Sequence, residues 1–123
     1  MSTKILVVDD DQRTREALTA ILLRAGYEVT PLASGDRLEE NLRTEQYTAA
    51  VIDYHLPARN GLELANSLKE ILPSCQVILI SSETRPLKAA QAVPAVVSRF
   101  LPKPFSKHTL LRVISELCPL EPD

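Results

Sequence analysis

Four polar segments stand where apolar runs stop. Asp9-Asp10-Asp11 follows Ile5-Leu6-Val7-Val8, Asp53 follows Ala49-Ala50-Val51-Ile52, Ser81-Ser82 follows Val77-Ile78-Leu79-Ile80, and Lys103-Pro104 follows the run that ends at Pro102. If these endings converge, several carboxylates meet; within ~4–6 Å they repel one another and resist ionisation unless a cation sits among them. A hard divalent ion answers that need. Mg2+ takes oxygen ligands, keeps several waters and is usually held by one or two carboxylates plus a substrate phosphate, so the cluster points to phosphoryl chemistry more than to a dedicated Ca2+ cage. Lys103 offers a point positive charge and Ser81 a hydroxyl, both suited to phosphoryl oxygens. Asp53 is then the candidate nucleophile, because carboxylate attack on an activated phosphorus gives an acyl phosphate.

Convergence of this kind requires a parallel sheet, in which ligand sites lie outside the carboxyl ends of the strands. The apolar period alternates between strand-like runs and helical spacing, the pattern of βαβ units. Ile5 to Val8 is apolar on both faces, as a central strand covered on two sides must be. Leu18, Ile21, Leu22 and Ala25 mark a first helix from about Thr14 to Arg24, stopped by Gly26. Glu28 to Leu32 reads as a second strand, and its Pro31 is tolerated only near an edge. Leu38 and Leu42 mark a short second helix with Ser34 or Asp36 as its cap. Leu62, Ala65, Leu68 and Leu72 mark a third, closed by Pro73. Pro86 suits the first turn of a fourth helix, and Pro94 ends it near Val93. Arg99 to Pro102 is a fifth strand. Ser106 caps a last helix with Leu110, Leu111, Ile114 and Leu117 on one stripe, stopped by Pro119.

These five β/α units, without repeat or internal linker, fit one domain of 123 residues. Fourteen Lys and Arg against sixteen Asp and Glu give a net charge of −2, so no basic field holds a polyanion and direct nucleic-acid binding is not expected. No apolar run approaches the ~20 residues that span a bilayer. The opening Met1-Ser2-Thr3-Lys4 turns acidic too soon for a signal peptide, so a cytoplasmic protein without a membrane partner is expected. Cys75 and Cys118 lack C-x-x-C spacing and read as reduced packing residues.

In order and spacing, the pieces resemble the receiver domain of bacterial two-component response regulators. The resemblance rests on Ile5-Leu6-Val7-Val8-Asp9-Asp10, on Val51-Ile52-Asp53-Tyr54-His55-Leu56-Pro57 with Gly61, on Ile80-Ser81-Ser82 and on Phe100-Leu101-Pro102-Lys103-Pro104-Phe105. It implies a doubly wound, five-stranded parallel sheet of flavodoxin-like order 2-1-3-4-5 in a three-layer α/β/α fold, with residues 1–118 as the domain and 119–123 as a tail or the start of a linker. By the same resemblance Asp53 is the phosphoacceptor. Asp10 is the direct ligand of Mg2+, or of Mn2+ in its place; Asp9 acts largely through water, and the backbone carbonyl of His55 completes the protein ligands. Ser81 is the hydroxyl that turns towards the phosphoryl group, Lys103 pairs with it, Phe100 fills the aromatic switch position, and the Lys103-Pro104 bond is cis. Phosphorylation then changes the surface formed by the fourth helix, fifth strand and last helix. The implied partners are a sensor histidine kinase or phosphotransfer protein, an output domain or downstream protein, and a second copy through that same surface. The chain phosphorylates and dephosphorylates itself and does not turn over an external substrate.

Some positions depart from the family's common choices. Phe100 lacks the hydroxyl of tyrosine, so a switch here rests on packing alone, and Ser81 stands where threonine is frequent. His55 and Glu83 occupy variable positions that influence access of the hydrolytic water. Ala92 to Val97 is unusually apolar, and part of it suits a contact surface. Asp11 reads as a helix cap or solvated surface. Three rivals are weaker. An aspartate-dependent phosphatase with Asp9 as nucleophile and Asp11 as acid/base needs threonine where Arg13 stands. A nucleotide- or flavin-binding module on the same topology lacks its loop, because Gly26, Gly35 and Gly61 build neither G-x-G-x-x-G nor a P-loop. A phosphorylation-independent receiver-like interaction domain usually lacks an acidic residue or the lysine, and none is missing here.

Overall fold

The computed structural model describes residues 3–82 and 95–119. Its elements are β1 (Lys4–Val8), α1 (Gln12–Arg24), β2 (Glu28–Leu32), α2 (Leu38–Thr44), β3 (Ala49–Asp53), α3 (Gly61–Ile71), β4 (Gln76–Ser81), β5 (Arg99–Pro102) and the last helix, α4 (Lys107–Leu117). The strands form one parallel sheet in the order β2-β1-β3-β4-β5, so β2 with its Pro31 lies at an edge. The fourth helix expected between Pro86 and Val93 lies outside the described residues, as does Glu83.

Alternation along the strands divides the core in two. Leu6, Val8, Ala50, Ile52, Val77 and Leu79 face α2 and α3, which contribute Leu38, Leu42, Leu64, Ala65 and Leu68. Ile5, Val7, Ala49, Val51, Ile78 and Ile80 face α1 and α4, which contribute Leu18, Leu22, Leu110, Val113 and Ile114. Each fully buried Leu or Ile contributes roughly 1.5–3 kcal/mol. This two-sided burial is why the central strands read as unbroken apolar runs.

Three expectations need correction. Helix α1 begins at Gln12, two residues before Thr14, because Asp11 is its cap and accepts from the Thr14 N–H at 2.9 Å and its hydroxyl at 2.6 Å. Neither Ser34 nor Asp36 caps α2: its N-cap is Arg37, with no side-chain cap bond, and the Ser34 hydroxyl instead accepts from Asp36 N–H at 3.3 Å. On α4 the deeply buried stripe is Leu110, Val113 and Ile114, whereas Leu111 and Leu117 are only partly buried. Ser106 does cap α4, through Thr109 N–H at 3.1 Å. Val97 is buried and Val96 packs on the α2–α3 side of the core, so this part of the apolar segment faces inward.

Both cysteines are free and buried. Burial pushes the Cys75 thiol up to about 12 and the Cys118 thiol up to about 11, and thiols rather than thiolates react poorly. At pH 8 a disulfide-exchange reagent is expected to leave the native chain unlabelled and to modify both cysteines once denaturant is added. Rapid labelling of the native chain would contradict this burial.

Candidate functional site

Sheet register assembles the site. Val8 pairs with Ile52, so Asp9 and Asp53 leave the sheet side by side. Asp53 pairs with Ile80 and Ser81 with Pro102, which puts Ser81 and Lys103 one step beyond on the same edge. Backbone bonds continue past the strand ends: Tyr54 N–H donates to the Ile80 carbonyl at 2.8 Å, and Lys103 N–H to the Ser81 carbonyl at 2.7 Å. The positions of the side chains are therefore set by the ladder.

One carboxylate oxygen from each of Asp9, Asp10 and Asp53 lies within 4.8 Å of the other two. Asp9 and Asp53 are buried, and Asp10 is exposed. Lys103 Nζ reaches both buried carboxylates, Asp9 Oδ2 at 3.3 Å and Asp53 Oδ2 at 3.6 Å. Asp9 is held on all sides: its N–H donates to Leu32, its carbonyl accepts from Arg15 Nη1 at 2.9 Å, and its Oδ1 accepts from Asp11 N–H at 2.9 Å. His55 N–H donates to Asp53 Oδ1 at 3.3 Å.

Burial pushes the Asp53 carboxyl above the ordinary carboxylate range; Lys103 and the His55 N–H pull it down, and the charges of Asp9 and Asp10 push it up. Among the described residues, one ammonium against three clustered carboxylates leaves them short of positive charge. Oxygen donors at this spacing, from short side chains on a rigid edge, fit a hard divalent cation that keeps part of its water shell.

Ser81 is fully buried at the end of β4. Phe100, on β5, is half-buried against the α2–α3 side of the core. His55 and His108 are exposed. The Lys103-Pro104 bond is cis.

The sequence profile described as the response regulator receiver domain matches residues 5–115. The chain belongs to that family. The receiver is 33% identical over 110 residues to the DNA-binding transcriptional regulator NtrC of Azospirillum brasilense, an alignment covering 89% of this chain and 23% of that protein. It therefore spans under a quarter of that relative's length. A CheY-like receiver domain from Methanospirillum hungatei superposes with a TM-score of 0.87 at 26% identity, covering 94% of this chain and 93% of that one. A response regulator from Burkholderia pseudomallei, solved with a phosphorylated aspartic acid, calcium ion and citrate, gives a TM-score of 0.81 at 25% identity over 94% of this chain and 66% of that one.

Sequence reasoning missed two long-range contacts, Arg15 on the Asp9 carbonyl at the site edge and Arg59, in the β3–α3 loop, on the Gly35 carbonyl. Each looks like solvated surface charge, and nothing in the spacing shows which carbonyl it reaches. Gly61 carried a clearer signal. A Cβ there would fall 2.8 Å from Tyr54 Cα and 2.9 Å from the Asp53 carbonyl carbon, so backbone, which cannot rotate away, forbids a side chain. Gly61→Ala is expected to destabilise the receiver by about 2–3 kcal/mol, the upper part of the usual overpacking range. Urea unfolding checks it: the midpoint should fall with an unchanged slope, and an unshifted midpoint would show that the loop yields freely.

Proposed function

We propose that this receiver is the phosphoacceptor of a two-component phosphorelay, taking a phosphoryl group onto Asp53 from a histidine of a sensor kinase or phosphotransfer protein. One Asp53 oxygen attacks phosphorus; the new O–P bond forms as the P–N bond to the donor imidazole breaks, and the nitrogen keeps the electron pair. The observation that carries this reading is the Asp53 carboxylate set among Asp9, Asp10 and Lys103. The phosphorylated aspartic acid and divalent cation of the Burkholderia relative support it.

Asp10 and Asp53 would hold Mg2+ or Mn2+ directly, Asp9 largely through water, and the His55 carbonyl would complete the set. The division between Asp9 and Asp10 has a physical basis. Both Asp9 oxygens already accept protein donors, whereas Asp10 faces solvent. When bound, the cation offsets charge on the attacking carboxylate and the transferring phosphoryl group.

Lys103 and the Ser81 hydroxyl are the groups that engage the added oxygens. As Lys103 turns from Asp9 towards the phosphoryl group, the edge formed by Ser81 and Lys103 rearranges. Phe100 follows by packing alone, altering the surface around β5 and the last helix that an output domain, a downstream protein or a second copy reads. Only a difference in partner affinity between the two states drives this shift. Residues 1–118 form the domain in this reading, and 119–123 a tail or linker start. The setting is cytoplasmic, with no direct nucleic-acid contact. Among the described residues, no helix is long and apolar enough to cross a membrane.

Incubation with Mg2+ and a small acyl-phosphate donor tests the proposal. Mass spectrometry should find one added phosphoryl group, absent from Asp53→Asn and absent when Mg2+ is chelated. Labelling that persists in the variant or ignores chelation would overturn the assignment.

A further inference from the structure

Arg59 lies in the loop that joins β3 to α3, and its guanidinium donates to acceptors on three separate segments. Nη1 reaches Glu39 Oε1 in the first turn of α2 at 3.1 Å and Ser67 Oγ in α3 at 3.3 Å, and Nη2 reaches the Gly35 carbonyl ahead of α2 at 3.3 Å. The loop it holds has an uncommon backbone. Ala58 has φ 68°, in the left-handed region where a Cβ is crowded. It is the centre of a three-residue turn closed by Arg59 N–H donating to the Pro57 carbonyl at 2.8 Å, a strained class of turn. Such conformations persist where the surroundings over-determine them.

The far end of the loop is fixed too. Asn60 and Glu63 form a capping box, and Gly61 N–H donates to the Tyr54 carbonyl at 2.8 Å. The segment 54–57 runs from the Tyr54 carbonyl held by Gly61 to the Pro57 carbonyl that closes the turn, and it includes His55, the residue whose N–H holds Asp53 Oδ1.

We infer that Arg59 is a positioning residue for the cation site: by clamping the strained turn to α2 and α3 it fixes the path of residues 54–57 and so orients the Asp53 carboxylate through the His55 N–H. The inference rests on the cation site proposed above. Three acceptors on three segments suit a planar guanidinium fork, and a lysine ammonium does not reproduce that geometry.

The test uses the full chain, with Mg2+ titrations followed by amide NMR and with His55 amide exchange measured in chelator. Arg59→Ala is expected to bind Mg2+ about tenfold more weakly, the scale of losing an outer-shell partner, and to exchange its His55 amide faster before any cation is added. Arg59→Lys is expected to leave both defects in place. Leu68→Val, a core change in α3 that leaves every hydrogen bond of the Arg59 clamp in place, should keep parental affinity and parental exchange at His55. Equal Mg2+ affinity in the parent and Arg59→Ala, full rescue by lysine, or an equal loss in Leu68→Val would each overturn the inference. A parent chain that binds no Mg2+ would overturn the phosphoacceptor reading instead, and the exchange rates in chelator would still decide whether the clamp orders the loop.

Discussion

In metal-free buffer at neutral pH, Asp53→Asn is expected to be more stable than the parent chain, on the order of 1 kcal/mol. That is what remains after Lys103 offsets part of a desolvation penalty of several kcal/mol for a buried ion. The sign follows from linkage. Burial raises the Asp53 carboxyl above its unfolded value, so folding favours the protonated form, and the penalty grows as pH rises from the unfolded pKa through the folded one. Below the ordinary carboxylate range both states are protonated, and the advantage of the variant should vanish. Excess Mg2+ should reverse the order, because a ligand of the native state at a hundred times its Kd stabilises by about 2.7 kcal/mol and the variant loses a ligand oxygen. Denaturant melts in chelator and in Mg2+, at neutral and acidic pH, check all three statements. A variant less stable than the parent in chelator at neutral pH would show that Asp53 is not a strained charge.

Lys103→Met should have the opposite sign. Lys103 is the cation in contact with both buried carboxylates, and removing one partner of a buried pair strands the other. A fully buried pair loses about 3–5 kcal/mol in this way. The Lys103 side chain is 23% exposed, so the expected loss in chelator is smaller, about 2–3 kcal/mol. Two results would identify the cause as electrostatic. Mg2+ should recover most of the loss, and Asp53→Asn combined with Lys103→Met should be less destabilised than the sum of the single changes. A loss that ignores Mg2+ and adds without coupling would mean that Lys103 matters through its hydrocarbon stem. In the phosphorylated state the same variant is expected to keep its label and lose the change in partner affinity.

The strands and the edge where they end were legible because their causes are local in the chain. A strand buried on both faces has to be apolar throughout, so the first polar residue after Val8, Ile52 and Ile80 marks where the sheet meets solvent. The cap on α2 was not legible, since Ser34 and Asp36 are both competent cap residues and tertiary placement of Leu38 chose Arg37 as the boundary. All four expected residues of the α4 stripe meet the core, but their depth was not legible for a related reason. Leucine at 111 and 117 is as apolar as valine at 113, and only the angle at which the helix meets the sheet selects Val113. Arg15 and Arg59 were hidden because a hydrogen bond from a long side chain to a distant carbonyl leaves no periodic trace.

The central claim is that Asp9, Asp10 and Asp53 surround one hard cation. It is tested most directly by crystals grown with Mn2+ and measured at the manganese absorption edge. One anomalous peak is expected, about 2.0–2.3 Å from carboxylate oxygens of Asp10 and Asp53, and Asp10→Asn should weaken it strongly. A map with no peak between those carboxylates, or with manganese bound only elsewhere on the chain, would contradict the account.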